Sequence, residues 1–253
     1  FTEREKFTLD QFITNGGKTL WMIDNVQADQ DSLLNNGKML AYPRDLNLTD
    51  LLFSYGVRIN TSLIKDLYAS KISLVTGQVG NQPQYQNLDW FYHPLVGGNP
   101  NHPITKNTAP IRLQFANQID ILDNSILKTP LLASSPLTKK VGTPALIQLQ
   151  SIAEEPQEKE YASGNQLFAV LLEGNFKSAY KDRVKPFNTS LFKGNSTENK
   201  MIVIADGDIA KNQILKGKPT DLNRDKWTNQ TFGNKEFLIN SVDYLLDDKG
   251  IIQ

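Results

Sequence analysis

The sequence predicts an α/β fold: a mainly parallel sheet flanked by helices, with a β-rich middle segment. Three observations predict it. Near the start, "TLDQFITNGG" passes through a tight glycine link into the apolar "KTLWMID". Near the end, "MIVIAD" precedes the periodic "NKEFLINSVDYLL". Between them lie short apolar runs separated by Gly, Pro and Asn, the punctuation of strands and loops. The expected organisation is residues 1–77 as the first part of an α/β core, 78–195 as a β-rich middle with long loops, and 196–253 as the closing part of the core.

In the first part, Thr8 and Gln11 stand at capping-box spacing, Leu9, Phe12 and Ile13 share a helical face, and Asn15-Gly16-Gly17 supplies a C-cap. The continuous apolar centre Leu20 to Ile23 then has the length and flanks of a strand buried on both faces. "LTDLLFSYG" predicts a second helix closed by Gly56, "VRI" a short strand, and "KISLVTG" a strand ended by Gly77. From Gln78 to about Thr108 a Pro-, Gly- and amide-rich excursion holds one strand around "LDWFYHPLV". "IRLQFANQIDIL", "TPLLASSP" and "LFAVLLEGNFKSAY" make the middle β-rich, while "SIAEEPQEKEYASGN" and "KPFNTSLFKGNSTENK" read as surface loops or partly disordered segments. In the last helix Glu236, Asn240, Asp243 and Asp247 form one polar stripe on an otherwise apolar cylinder, which predicts a mostly buried helix.

Composition removes several function classes. Lys+Arg and Asp+Glu are both 27, so there is no basic surplus to neutralise a phosphate backbone, and nucleic acid is not an expected partner. Cys is 0, which removes disulfides, thiolate nucleophiles and zinc–thiolate sites. Runs such as "FAVLL" and "IVIA" fall far short of the ~20 residues of a spanning helix. The opening "FTEREKF" lacks a methionine and reads as the start of a fragment of a longer protein.

Motifs that tempt towards catalysis fail on their requirements. "GGKT" carries Phe12 where a phosphate-binding loop needs glycine, and its lysine opens a strand and not a helix. Asp206 and Asp208 in "MIVIADGDIAKNQ" resemble the paired aspartates of haloacid-dehalogenase phosphatases. That chemistry needs a further acidic cluster after another strand and a lysine in reach, whereas Asp247-Asp248 follow a helix. A turn, with Asp206 capping the helix that follows, is the favoured reading, and a metal-dependent phosphotransfer or glycosyl-transfer enzyme using Asp206 and Asp208 is the alternative. His93 and His102 both precede proline and read as loop histidines; there is no G-x-S-x-G elbow. Trp90, Phe91 and Tyr92 read either as core anchors of the excursion or as a partner-binding face.

Taken together, "LDQFITNGGKTLWMIDNV", "MIVIADGDIAKNQ" and "FGNKEFLINSVDYLLDDKGI", with "NHPITKN" and "TPLLASS" between them, resemble the periplasmic part of GldG, the gliding-motility auxiliary proteins of Bacteroidetes ABC transporters. The resemblance covers most of the chain. It implies a fold similar to class I glutamine amidotransferases, whose enzymes use a cysteine that this chain lacks. It further implies a permease and, through it, an ATPase as partners, flanking membrane helices as an inner-membrane anchor, a periplasmic location, and a role tied to gliding and type IX secretion. "DSL" at Asp31 to Leu33 resembles a short Bacteroidetes O-glycosylation motif at Ser32.

The expected function is therefore a non-catalytic accessory domain that binds transporter or secretion-machinery components, or a glycan, with no cofactor or metal. Ligands of open α/β sheets bind beyond the carboxyl ends of strands, where Asp24, Gly77, Ser134 and Asp206 are expected to lie. Asp24, Ser134, Asp206 and Asp208 are the candidate ligand-binding residues, and Trp90, Phe91 and Tyr92 the candidate partner-binding residues.

Overall fold

The fold is that of a computed structural model, which describes residues 1–187 and 189–247. The first helix, α1 (Glu3–Thr14), starts six residues before the expected capping box. Thr2 is its N-cap, and the box is Thr2 with Glu5. Its buried stripe, Lys6, Phe7, Asp10, Ile13 and Thr14, keeps helical period but is half polar, which hides it from a purely apolar pattern. Asp10 compensates by accepting bonds from Tyr55 Oη at 2.8 Å, Ser178 Oγ at 2.6 Å and Ala179 N at 2.8 Å, which tie α1 to distant loops.

After α1 come β1 (Thr19–Met22), β2 (Val26–Gln27), α2 (Gln30–Asn36), β3 (Lys38–Pro43), α3 (Thr49–Ser54) and β4 (Val57–Asp66). The middle holds β5 (Ala69–Val79), β6 (Gln82–Val96), β7 (Ile111–Arg112), β8 (Asn117–Ile121), β9 (Leu127–Ala133), β10 (Thr138–Gly142), β11 (Ala145–Gln148) and β12 (Leu167–Lys177). The chain continues through β13 (Asn195–Ile204), the short pair β14 (Ile214–Leu215) and β15 (Lys218–Pro219), and α4 (Asn234–Leu246). Gly77 lies inside β5, which continues to Val79 and turns into β6, so the expected one-strand excursion is a long antiparallel hairpin.

The central sheet has seven strands, ordered β1-β13-β12-β8-β4-β10, with β9 also pairing with β12. Among the described residues only β1 and β13 pair in parallel, in the register Thr19 opposite Met201 through Met22 opposite Ile204. Every other ladder is antiparallel. A mainly parallel, amidotransferase-like sheet flanked by helices is thus wrong: the chain is strand-rich, its central sheet is mixed and its smaller sheets are antiparallel.

The physical reason is visible in β12 and β13. Val170, Leu172, Met201 and Val203 face a core shared with Ile13, Leu51 and Tyr55, while Phe168, Leu171, Ile202 and Ile204 face a core shared with Phe237 and Leu245. A continuous apolar run reports burial on both faces. Here both faces are covered although the two strands run antiparallel, so the run carried no information about direction. A third core joins α2, β3 and β6 through Leu33, Ala41, Trp90 and Tyr92.

Helix α4 buries one stripe, Asn234, Phe237, Ser241 and Leu245, and leaves Ile239, Val242 and Leu246 exposed, so it is less buried than its composition predicts. Its start is fixed by Asn234, whose Nδ2 donates to Arg112 O at 2.8 Å and whose Oδ1 accepts from Arg112 N at 3.0 Å. Gly233 caps it at a close crossing: a Cβ there would lie 2.2 Å from the backbone oxygen of Ala109. Gly233→Ala is expected to destabilise the protein by about 2 kcal/mol, read as a lowered urea midpoint, because backbone and not a mobile side chain must give way.

Candidate functional site

The parallel pairing of β1 with β13 brings their carboxyl ends together, and Asp24, Asp206 and Asp208 meet there. Asp206 is fully buried. Its Oδ1 accepts from Asp208 N at 2.8 Å, closing a turn within the acidic segment, and its Oδ2 accepts from Gln114 N at 2.6 Å. Both carboxylate oxygens therefore hold backbone, one locally and one across to the segment leading into β8. Burial, and after it the neighbouring Asp24, keep its carboxyl well above the ordinary carboxylate range despite these donors.

Asp24 Oδ1 accepts from Gly207 N at 2.7 Å. A Cβ on residue 207 would lie 2.6 Å from Asp24 Oδ2, so glycine permits this approach. Burial raises the Asp24 carboxyl above its usual value, with Asp208 adding to the rise and Gly207 N, Arg44 and Lys211 opposing it. Asp208 pairs with Lys211 at 3.3 Å, and Lys211 also reaches Asp29 at 3.6 Å. Among the described residues no group of three or more His, Asp or Glu side chains is placed to hold a metal ion. Asp248 lies outside the described residues.

Two concavities flank this turn. One is an open cleft of about 490 Å³ bordered by Trp21, Met22, Asp24, Arg44 and Asp208. The other, about 160 Å³ and more enclosed, is bounded by Gln30 and Leu34 of α2, Ile72 of β5, His93 of β6, Arg112 of β7 and Trp227. Gln114 and Lys211 belong to its wall too, so the acidic turn backs directly onto it. Arg112 and Asp225, both nearly buried, form an ion pair of 2.5 Å in this wall. Burial opposes the charge on Asp225, but Thr228 N, Gln213 and Arg112 outweigh it and hold the carboxyl at about 2.

The other expected residues lie apart from the turn. Ser134 follows β9 and is buried; its Oγ accepts from Gln166 N at 2.6 Å and donates to Ser135 O at 2.8 Å. Trp90 and Tyr92 are buried on β6 with ring centroids 5.3 Å apart, whereas Phe91 is partly exposed beside Tyr161 and Lys65. Ser32 is half-buried in the first turn of α2, where its N–H donates to the capping Asp29 at 2.7 Å. His93 does not sit in a loop: it is in β6, 2% exposed. His102, also buried, does shape a turn, its Nδ1 accepting from Ile104 N at 3.3 Å.

Sequence reasoning did not find the cavity around His93. Its walls come from segments far apart in the chain, and the only local hints were a histidine inside an apolar strand and the amide-rich "KNQ" after the acidic turn.

In this geometry the carboxylates of Asp24 and Asp206 are committed to backbone N–H groups. The family of ABC transport auxiliary proteins, described as an ABC-type uncharacterized transport system, matches residues 1–241, and the chain belongs to that family. A protein of Borreliella burgdorferi described as uncharacterized is 24% identical over 196 residues, which is 74% of this chain and 36% of that protein. The chain thus spans about a third of that relative's length. Among solved structures, the mmIFT52 N-terminal domain is similar over 98% of this chain and 73% of its own, at 11% identity and a TM-score of 0.44.

Proposed function

We propose that this chain is a non-catalytic accessory domain of an ABC transport system that works by binding. The observation that carries the reading is that Asp206, the acidic group best placed for chemistry, has both carboxylate oxygens occupied by backbone N–H groups. Membership of the auxiliary family supports it. In the finer reading, which rests on the resemblance to GldG proteins, the domain stands in the periplasm, anchored by membrane helices outside this stretch. It docks on a permease and, through it, an ATPase, within a system linked to gliding motility and type IX secretion. Partner surfaces include the exposed apolar stripe Ile239, Val242 and Leu246 on α4. Ser32 is a modification site in the same reading.

Affinity purification of the native full-length protein from crosslinked cells tests this. A permease and its ATPase are expected to copurify reproducibly, and Val242→Asp is expected to reduce their yield without altering the urea midpoint. Recovery without any transporter subunit would overturn the reading.

A further inference from the structure

The 160 Å³ cavity contains a conflict that no contact among the described residues resolves. His93 is 2% exposed, yet neither of its ring nitrogens has a hydrogen-bond partner among the described residues. The side-chain amide of Gln30, in the same wall, also lacks partners for both its nitrogen and its oxygen. A buried polar group left without a partner costs about 1 to 3 kcal/mol, so four such atoms beside one cavity are a standing cost, which a ligand relieves by drawing the Gln30 amide and the His93 ring round to face it.

The character of these atoms says what fits. Two of the basic groups in the wall face counter-ions, Arg112 with Asp225 and Lys211 with Asp208 and Asp29, while Lys226 Nζ donates to Ile214 O at 3.0 Å and stands 5.1 Å from the centre of the Trp227 ring. Asp225 is saturated as well, accepting from Trp227 N, Thr228 N and Gln213 Nε2. A charged ligand would compete with the Arg112–Asp225 and Lys211–Asp208 pairs, whereas the four unpartnered atoms are neutral donors and acceptors. Burial, reinforced by Arg112, keeps the imidazole uncharged, so it offers one donor and one acceptor, and the Gln30 amide likewise offers both. A hydroxyl group donates and accepts at once, and a run of hydroxyls can serve both pairs. Leu34, Ile72, Ile214 and the half-exposed ring of Trp227 supply apolar surface for the C–H face of a ring.

We propose that this cavity binds an uncharged saccharide unit, with His93 and Gln30 as its hydrogen-bonding residues and Trp227 as its apolar platform. The proposal rests on the reading of the chain as a binding domain and names the ligand class of the cavity behind the acidic turn.

The test is titration of the purified protein with maltose, cellobiose and diacetylchitobiose, followed by tryptophan fluorescence and calorimetry, with digalacturonate and an N-acetylated dipeptide amide as the charged and amide arms. A saturable response to at least one neutral sugar is expected, with a dissociation constant on the order of 0.1 mM. Trp227→Phe should remove the optical signal. His93→Phe and Gln30→Leu should each weaken binding about tenfold, the loss of roughly one hydrogen bond. Gln30 lies on the half-buried surface of α2, so its variant remains informative if the His93 variant misfolds. Silence with all three sugars, a preference for digalacturonate or the peptide amide, or unchanged affinity in Gln30→Leu would overturn the proposal. A protein that recovers its permease but binds no sugar loses this inference alone; one that binds sugar but recovers no transporter loses the accessory reading alone.

Discussion

Asp225→Ala is expected to destabilise the protein by about 3 to 5 kcal/mol, the largest effect of any single change considered. The substitution leaves the guanidinium of Arg112, only 8% exposed, without its counter-ion, against the ring of Phe232 4.9 Å away. It also releases the N–H groups of Trp227 and Thr228, which the same carboxylate holds at 3.0 and 2.7 Å. Arg112→Met is expected to cost less, since it removes the charge that would be stranded and keeps much of the volume. The pair also sets an acid limit. Because the folded pKa of Asp225, about 2, lies below its unfolded value, its contribution is full above about pH 4 and is lost as pH falls towards 2. Urea melts between pH 2 and 5 read this directly, and Asp225→Ala should flatten that portion of the curve.

Asp206→Ala comes next, with an expected loss of about 3 kcal/mol at pH 5, because it strands the N–H groups of Gln114 and Asp208. Here the sign with pH is opposite. The folded carboxyl has a raised pKa, so its stabilising contribution is complete below the unfolded value near 4 and is lost as pH climbs through the folded value. The gap between native protein and Asp206→Ala should therefore narrow as pH rises above the unfolded value. A gap that widens would mean that the carboxylate is favoured in its ionised form, as expected for a group held ready for a cation or a reaction.

The contrast between these aspartates shows how much the sequence could tell. "ADGD" identifies a turn at the end of a buried strand, and Asp206 closes that turn by accepting from Asp208 N, although the short 3-10 turn that follows starts at Gly207 without a side-chain cap. What it hides is the second bond, to Gln114, because that partner is 92 residues away and nothing local marks it. Asp225 sits in "DLNRDKW", which reads as an ordinary polar loop; its importance comes from Arg112, brought near by the docking of α4 on β7.

The same limit governs the fold. Leu20 to Ile23 and Met201 to Ile204 are recognisable as strands, and these two do pair in parallel, but β1 is not buried on both faces as its apolar run predicts: it lies at the sheet's edge, partly covered, with Met22 exposed. The apolar run of β12 looks no different in sequence, yet it pairs antiparallel with β13, β8 and β9. Strand direction depends on where long connections return, and alternation or continuity of apolar residues does not record that.

The account stands on the acidic turn being a piece of architecture and not a reaction centre. Isothermal titration of the folded protein with Mg²⁺, Mn²⁺ and Ca²⁺ tests this most directly. Flat heats for all three ions are predicted, in the native protein and in Asp208→Asn alike. A saturable signal in the native protein that disappears in Asp208→Asn would contradict the account and restore a cation-dependent transferase as the function of this chain.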